Sequence, residues 1–199
     1  MFAALTGAGL SAAAGLNAYI PFLMVALVAR FSDIIVLPTS LEWIESPWAI
    51  GAAALLLVTD VVLDKIPAID SMNDMIGTAI RPTVGGIVFA ATSAVDEQID
   101  QSSLLTAHPW VGAIGGVIIA GFVHTTKAAS RPAVNVGTAG VGGPVLSVAE
   151  DATAIAMSVI AVFIPLLVIV VLIVMLVASV WLWQRIARLR RRRRTGAYA

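Results

Sequence analysis

The sequence predicts an all-α integral membrane protein of about five transmembrane or partly re-entrant helices, with an internal two-helix repeat. Three observations carry that expectation. Hydrophobic residues make up 59% of the chain and charged residues 12%, with a mean hydropathy of +0.97, against roughly 25% charged in an ordinary soluble domain. Apolar runs recur at residues 3–30, 47–63, 83–95, 109–123 and 144–183, and about 20 apolar residues cross a bilayer core. Seven arginines, Arg185, Arg188, Arg190, Arg191, Arg192, Arg193 and Arg194, follow directly on Trp181 and Trp183, the pattern of a cytoplasmic tail beyond interfacial tryptophans.

The first run, within "MFAALTGAGLSAAAGLNAYIP", has no basic n-region and carries Asn17 and Pro21. It reads as a membrane segment and not as a cleaved signal peptide. The second run opens at Pro47-Trp48 after the connection "SDIIVLPTSLEWIESP". Proline and acidic residues in "DKIPAIDSMNDMIGTAIRP" and "DEQIDQSSLLTAHP" mark both as connections around the third run. That third run has only about 13 apolar residues, so it is expected to be tilted, extended by its flanks, or re-entrant. The fourth leads into "FVHTTKAASRPAVN". Its helix is expected to end at Arg131, since Pro132 removes a donor and disfavours helix at the preceding residue.

The last run covers about 40 residues, near 60 Å as a helix, broken only by Pro165. It is either one kinked helix or a hairpin at "FIP". A single crossing puts the N-terminus outside, with Lys65, Arg81, Lys127 and Arg131 on the outer side against the positive-inside tendency. The hairpin reverses this. Residues 1–184 form a single helical membrane domain, and 185–199 a basic cytoplasmic tail.

A shift of 62 residues lays "SPWAIGAAALLLVTDVVLDK" over "HPWVGAIGGVIIAGFVHTTK", matching Pro47-Trp48 to Pro109-Trp110, Lys65 to Lys127 and Asn73 to Asn135. "GTA" and "VGG" then recur in the same order. This gives repeat units 47–86 and 109–143, a two-helix unit of the kind used in parallel-repeat transporters.

Several functions are excluded. The chain has no cysteine, so disulfides, thiolate nucleophiles and Cys-based metal sites are absent. "DKIPAIDSMND" lacks the ligand rhythm of a calcium loop, and no P-loop, nucleophile elbow or His-x-x-x-His pair occurs. No metal and no cofactor are expected. Without the arginine tail the body holds five basic and twelve acidic residues, and a tail placed directly after a membrane helix suits anionic lipid head groups, not nucleic acid.

Candidate site residues are the polar groups inside or beside apolar runs. His124, Lys127 and Arg131 are spaced three and four apart and share one helical face, a geometry suited to a carboxylate, a phosphate or an acidic partner. Snorkelling to the interface is their bland reading. Glu150 and Asp151 are costly at membrane depth unless paired, and the basic face is the natural partner; an acidic first turn at the interface is the alternative. Asn17 and Tyr19 precede Pro21, and polar residues at a helix break are where transporters bind solutes; a simple interhelical hydrogen bond competes. Asp60 shares that ambiguity.

"GLSAAAGLNAYIPFL", "LEWIESPW", "DKIPAIDSMND" with "IRP", "HTTKAASRPAVN" and "LSVAEDATA" with Pro165 downstream together resemble a bacterial membrane family catalogued as domain of unknown function 4126, over nearly the whole chain. The resemblance implies a small multi-helix membrane protein with polar positions at Asn17, Asp64, Lys65, Asp70, Arg81, His124, Lys127, Arg131, Asn135, Glu150 and Asp151, and it implies no activity. "NVGTAGVGGP" is more glycine-rich than the similar sequences.

The leading expectation is a transporter, channel or lipid flippase-like protein, with Asn17, Tyr19, Asp64, Lys65, Arg81, His124, Lys127, Arg131, Asn135, Glu150 and Asp151 around a polar path for an anionic solute or lipid head group. A non-transporting scaffold or accessory subunit is the alternative. An enzyme is not expected; a lipid-modifying one, with His124 and Glu150/Asp151 as a general-base pair, is a third reading. The expected partners are the bilayer, its anionic lipids and a second copy of the chain, in a multi-pass bacterial inner membrane with the C-terminus cytoplasmic.

Overall fold

In a computed structural model, the chain is described over residues 2–93, 108–138 and 141–195. Among these it is helical, without strands: α1 (Phe2–Leu16), α2 (Tyr19–Phe31), a 3-10 helix (Thr39–Glu45), α3 (Pro47–Leu63), α4 (Pro67–Ser93), α5 (Pro109–Gly137), α6 (Gly142–Phe163) and α7 (Pro165–Thr195). Four helices are long and apolar enough to cross a membrane, and a fifth span results if the 3-10 helix and α3, bent by 58°, are taken together.

Prolines set several starts. Pro47 and Pro109 open α3 and α5, where the missing N–H costs nothing, and the Ser46 hydroxyl accepts from the Ala49 amide at 3.2 Å. At Ile164 the backbone leaves the helical region and Pro165 starts α7. A Cβ built on Gly9 would touch both Ala161 at 2.8 Å and Val168 at 3.0 Å, so the chain doubles back there. The long last run is therefore the hairpin, α6 out and α7 back.

The first run behaves differently from a single span. α1 and α2, with 15 and 13 residues, are both too short to cross alone. The start of α1 lies by the end of α4, since a Cβ on Gly7 would meet Phe89, and Ser11 donates to the Gly85 carbonyl at 2.8 Å. Asn17, at the break, reaches Asp60 near the end of α3. α2 then returns toward the start of α3, where Phe22 meets Trp43 at 6.0 Å and Arg30 donates to the Glu45 carbonyl at 2.9 Å. α1 and α2 thus form a re-entrant hairpin with its tip at Asn17-Ala18 and both outer ends on one side.

The hairpin of α6 and α7 removes the topological conflict. α3, α5 and α7 run one way, α4 and α6 the other, so Lys65, the C-terminal end of α5 and the arginine tail share one end of the bundle. α4 ends and α5 begins at the opposite end. The expected connection at 96–107 lies outside the described residues.

Two expectations are corrected. "PAIDSMNDMIGTAIRP" is not a connection; α4 begins at Pro67 and passes through Pro82, which is how its short apolar run reaches spanning length. Nor does Arg131 end α5, which continues through Pro132 to Gly137. Packing on neighbouring helices offsets the roughly 3 kcal/mol that an interior proline costs, as membrane helices commonly tolerate. The repeat is not confirmed: α3 and α5 start alike, yet the aligned Lys65 and Lys127 sit in opposite surroundings, one exposed and one buried.

Small residues set the closest crossing. Gly85 and Gly116 face each other across α4 and α5, and a Cβ on either would collide with the other's carbonyl, the close approach that glycine permits between membrane helices. Two apolar clusters flank the hairpin. One gathers Leu10, Phe22, Val25, Val88, Ala161 and Val168; the other, nearer the tip, gathers Ala13, Leu16, Ile20, Val123, Ala154 and Met157.

Candidate functional site: a buried charged cluster at a helix break

The helices converge on a cluster of buried charge around the hairpin tip. α3 contributes Asp60 and, just past its end, Asp64; α4 contributes Asn73, Asp74 and Arg81; α5 contributes His124, Lys127 and Arg131; α6 contributes Glu150 and Asp151. All except Asn73 and Asp151 are at most 9% exposed. Within α4 and α5 the residues fall at helical spacing, 74, 78 and 81 opposite 124, 127 and 131, so two polar stripes face one another.

Asn17 ties the hairpin to this cluster and uses its whole amide. Its Oδ1 accepts from the backbone amides of Tyr19 and Ile20 at 3.0 and 3.4 Å, capping α2. Its Nδ2 donates to Asp60 Oδ2 at 3.2 Å and Asp151 Oδ1 at 2.9 Å. The break also frees the Leu16 carbonyl, which accepts from Lys127 Nζ at 2.8 Å. Asn17→Ala therefore removes a cap and two interhelical bonds together. A loss of about 2 kcal/mol or more is expected, at or above the upper end for a lost cap, read as a lower midpoint in thermal unfolding of the purified protein; an unchanged midpoint would refute the cap.

Asp64 is the hub. Its Oδ2 lies 3.1 Å from Arg131 Nη2, 3.5 Å from Lys127 Nζ and 3.9 Å from Arg81 Nη2, and its Oδ1 accepts from Asn73 Nδ2 at 2.6 Å. Asn73 also donates to Asp60 at 2.7 Å. Glu150 takes Arg131 at 2.7 Å and Lys127 at 3.1 Å. Asp74 pairs with Arg81 at 3.1 Å and with Arg131 Nε at 3.5 Å.

His124 sits on the Arg81 side. Arg81 Nη1 can only donate, so His124 Nδ1 accepts, at 3.1 Å. The Thr78 hydroxyl donates to the Asp74 carbonyl at 3.0 Å, leaving its oxygen to accept from His124 Nε2 at 3.1 Å. These partners assign the neutral ring protonated at Nε2. Neither bond goes to Glu150 or Asp151.

A cleft of about 430 Å³ opens beside the cluster, lined by Asp74, Met75, Thr78, Arg131, Pro132 and Asn135 among others. Pro82 and Pro132 deprive the carbonyls of Thr78 and Ala128, four residues earlier, of their usual helical donor, and both those residues line the cleft. Asn135 Oδ1 is buried there without a hydrogen-bond partner.

Most sequence candidates come together. Asn17, Asp64, Arg81, His124, Lys127, Arg131, Glu150 and Asp151 form one contact network, so the interfacial reading of the basic face and of the acidic pair is overturned. Glu150 pairs with Lys127 and Arg131 as expected, whereas Asp151 turns to Asn17. Tyr19 adds its backbone amide to the cap, and Asn135 lines the cleft without joining the ion pairs. Lys65 is corrected: it is exposed and its Nζ donates to the Val61 carbonyl at 2.9 Å, outside the cluster. Arg185 and Arg188 are exposed, with the Arg185 guanidinium 5.0 Å from the Trp181 ring. The side chains of Asp70 and of Arg190 to Arg194 lie outside those described. Among the described residues no three His, Asp or Glu side chains are placed to hold a metal ion.

Asn73, Asp74 and Thr78 escape a sequence reading, because the prolines and acidic residues of their segment carry the signals of a connection. The signal was present: residues 74, 78 and 81 repeat at intervals of four and three, as do 124, 127 and 131.

Helices apolar enough to span a membrane, packed around a re-entrant hairpin whose tip is sealed into a cluster of buried ion pairs, define a multi-pass helical membrane protein with a buried polar site. The chain belongs to the family described as a domain of unknown function (DUF4126), whose model matches residues 4–185. No curated protein and no solved structure matches it.

Proposed function

We propose that this protein is a transport-type membrane protein that takes an anionic solute or lipid head group into the cleft beside Arg131. The observation that carries the proposal is the broken hairpin: Asn17, at a helix break inside the bundle, is bonded to the charged cluster, the arrangement by which transporters build midplane sites. Buried charge at such depth is expensive and is retained where a pathway needs it. Arg131 and Asn135 bring a guanidinium and an amide to the cleft lining, groups that can donate to an oxyanion.

The arginine tail, Lys65 and the end of α5 share one end of the bundle, and by the positive-inside tendency we read that end as cytoplasmic; a bacterial inner membrane is our reading from the family resemblance alone. There the tail docks on anionic lipid, each arginine near the surface contributing about 1 kcal/mol.

The test is reconstitution into phosphatidylcholine/phosphatidylglycerol liposomes with two probes, inorganic phosphate uptake and flip of a fluorescent phosphatidylglycerol read by dithionite quenching. One probe is expected to move well above protein-free liposomes, with Asn135→Ala, outside the ion pairs, slowing it severalfold at unchanged protein content. Neither probe moving would overturn the proposal. Buried ion pairs of this kind also suit a non-transporting scaffold, which predicts intact assembly and no flux for either probe.

A further inference from the structure

The charges in the cluster do not balance. Five described carboxylates, on Asp60, Asp64, Asp74, Glu150 and Asp151, face three fixed cations, on Arg81, Lys127 and Arg131, while the hydrogen bonds of His124 hold its ring neutral. Asp64, Asp74 and Glu150 each lie within 3.5 Å of at least one cation. The surplus therefore falls on Asp60 and Asp151.

The surroundings of those two are distinctive. Asp60 touches two neutral amides, Asn17 and Asn73, and its nearest cation is Arg81 Nη2 at 3.9 Å. That Nη2 is itself buried without a hydrogen-bond partner, and it is aimed between Asp60 and Asp64. Asp151 bonds to Asn17, and among the described residues no cation lies within ion-pair distance of it. It sits roughly 13 Å along α6 from Gly142, partly exposed. Other groups face the pair: Tyr19 on the hairpin, Asp64 after α3, Arg81 and Asp74 on α4, Lys127 and Arg131 on α5, and Glu150 beside Asp151 on α6.

Two carboxylates that share one amide, Asp151 with no cation in reach among the described residues and Asp60 with only Arg81 Nη2 at 3.9 Å, which it shares with Asp64, cannot both remain ionised at low cost in a membrane interior. We propose that Asp60 and Asp151, joined by Asn17 at the hairpin tip, form a proton-binding site whose proton is the co-substrate of the cleft. The proton reaches the pair through Asp151, the more exposed of the two, without any bond to carbon or nitrogen changing. Its arrival makes the cluster one charge less negative, which favours an anion beside Arg131, and Asn17 transmits the change because the same amide caps α2.

This rests on the transport reading for its consequence and not for the protonation, so the test separates them. Infrared difference spectra of the purified full chain in detergent, titrated from acid to alkali in H2O and D2O, are expected to show a protonated-carboxyl stretch persisting near neutral pH. Asp151→Asn and Asp60→Asn, which preserve shape, are expected to shift or remove it, whereas Asp33→Asn, on an exposed residue, leaves it. Absence of the band near neutral pH, or a band unchanged in both cluster variants, overturns the proposal. So does charge compensation by sodium, seen as sodium-dependent thermal stabilisation without the band. A band with no flux in liposomes would sink the transport reading alone.

Discussion

Asp64→Ala is expected to be among the most damaging single substitutions in the chain, costing on the order of 3–5 kcal/mol, the usual penalty for removing one partner of a buried ion pair. The Asp64 carboxylate is 1% exposed and lies within 4 Å of Arg81, Lys127 and Arg131, so its loss leaves three guanidinium or ammonium groups sharing fewer acceptors. The reference state lessens this somewhat, since polar groups of an unfolded chain in the membrane also find partners. Thermal unfolding of the detergent-purified protein, followed by tryptophan fluorescence and size exclusion, provides the measurement. The double variant Asp64→Ala/Lys127→Ala should recover part of the loss, because it removes one stranded cation along with its acceptor. A single variant as stable as the parent would show that the cluster is solvated and not a buried network.

Gly116→Val should be comparably destructive for a different reason. At the crossing of α4 and α5 a Cβ on Gly116 would overlap the Gly85 carbonyl and approach Phe89 Cβ to 2.8 Å. Backbone cannot rotate aside as a flexible side chain can, so the helices must separate. A loss at or above the roughly 1–3 kcal/mol typical of overpacking is expected. Separation would also pull the polar stripe of α4, with Asp74 and Arg81, away from that of α5. Gly51→Ala is the control, since nothing lies within 4 Å of a Cβ there. It should be neutral or stabilise α3 by up to about 1 kcal/mol through helix propensity. Equal effects at the two glycines would refute the crossing.

The sequence by itself determined the class. A 59% hydrophobic chain with 12% charge has to sit in lipid, and lipid demands that every backbone group be satisfied within a helix. It also marked most of the site, because a charge inside an apolar run is costly enough to stand out: His124, Lys127 and Arg131 fall on one face by spacing alone, and Glu150 and Asp151 are their natural partners by charge, which holds for Glu150 and not for Asp151. Asn17 was visible as an amide beside a proline in an alanine-rich run.

Local signals misled where tertiary packing outweighed them. Pro82 reads as the close of a connection and Pro132 as a helix end, yet α4 and α5 run through both, since buried contacts on either side offset the lost hydrogen bonds. That error hid Asp74, whose stripe exists only if α4 is continuous. The first apolar run had the length of a span and became a hairpin instead. Periodicity gives a helix's face and not its direction, and the return of α2 is set by contacts from Phe22 to Trp43 and from Arg30 to Glu45, remote in sequence from the tip. The fate of individual charges was equally undecidable from the chain. Lys65 and Lys127 occupy matching places in the sequence, and only the assembled bundle sends one to the surface and seals the other between Leu16, Asp64 and Glu150.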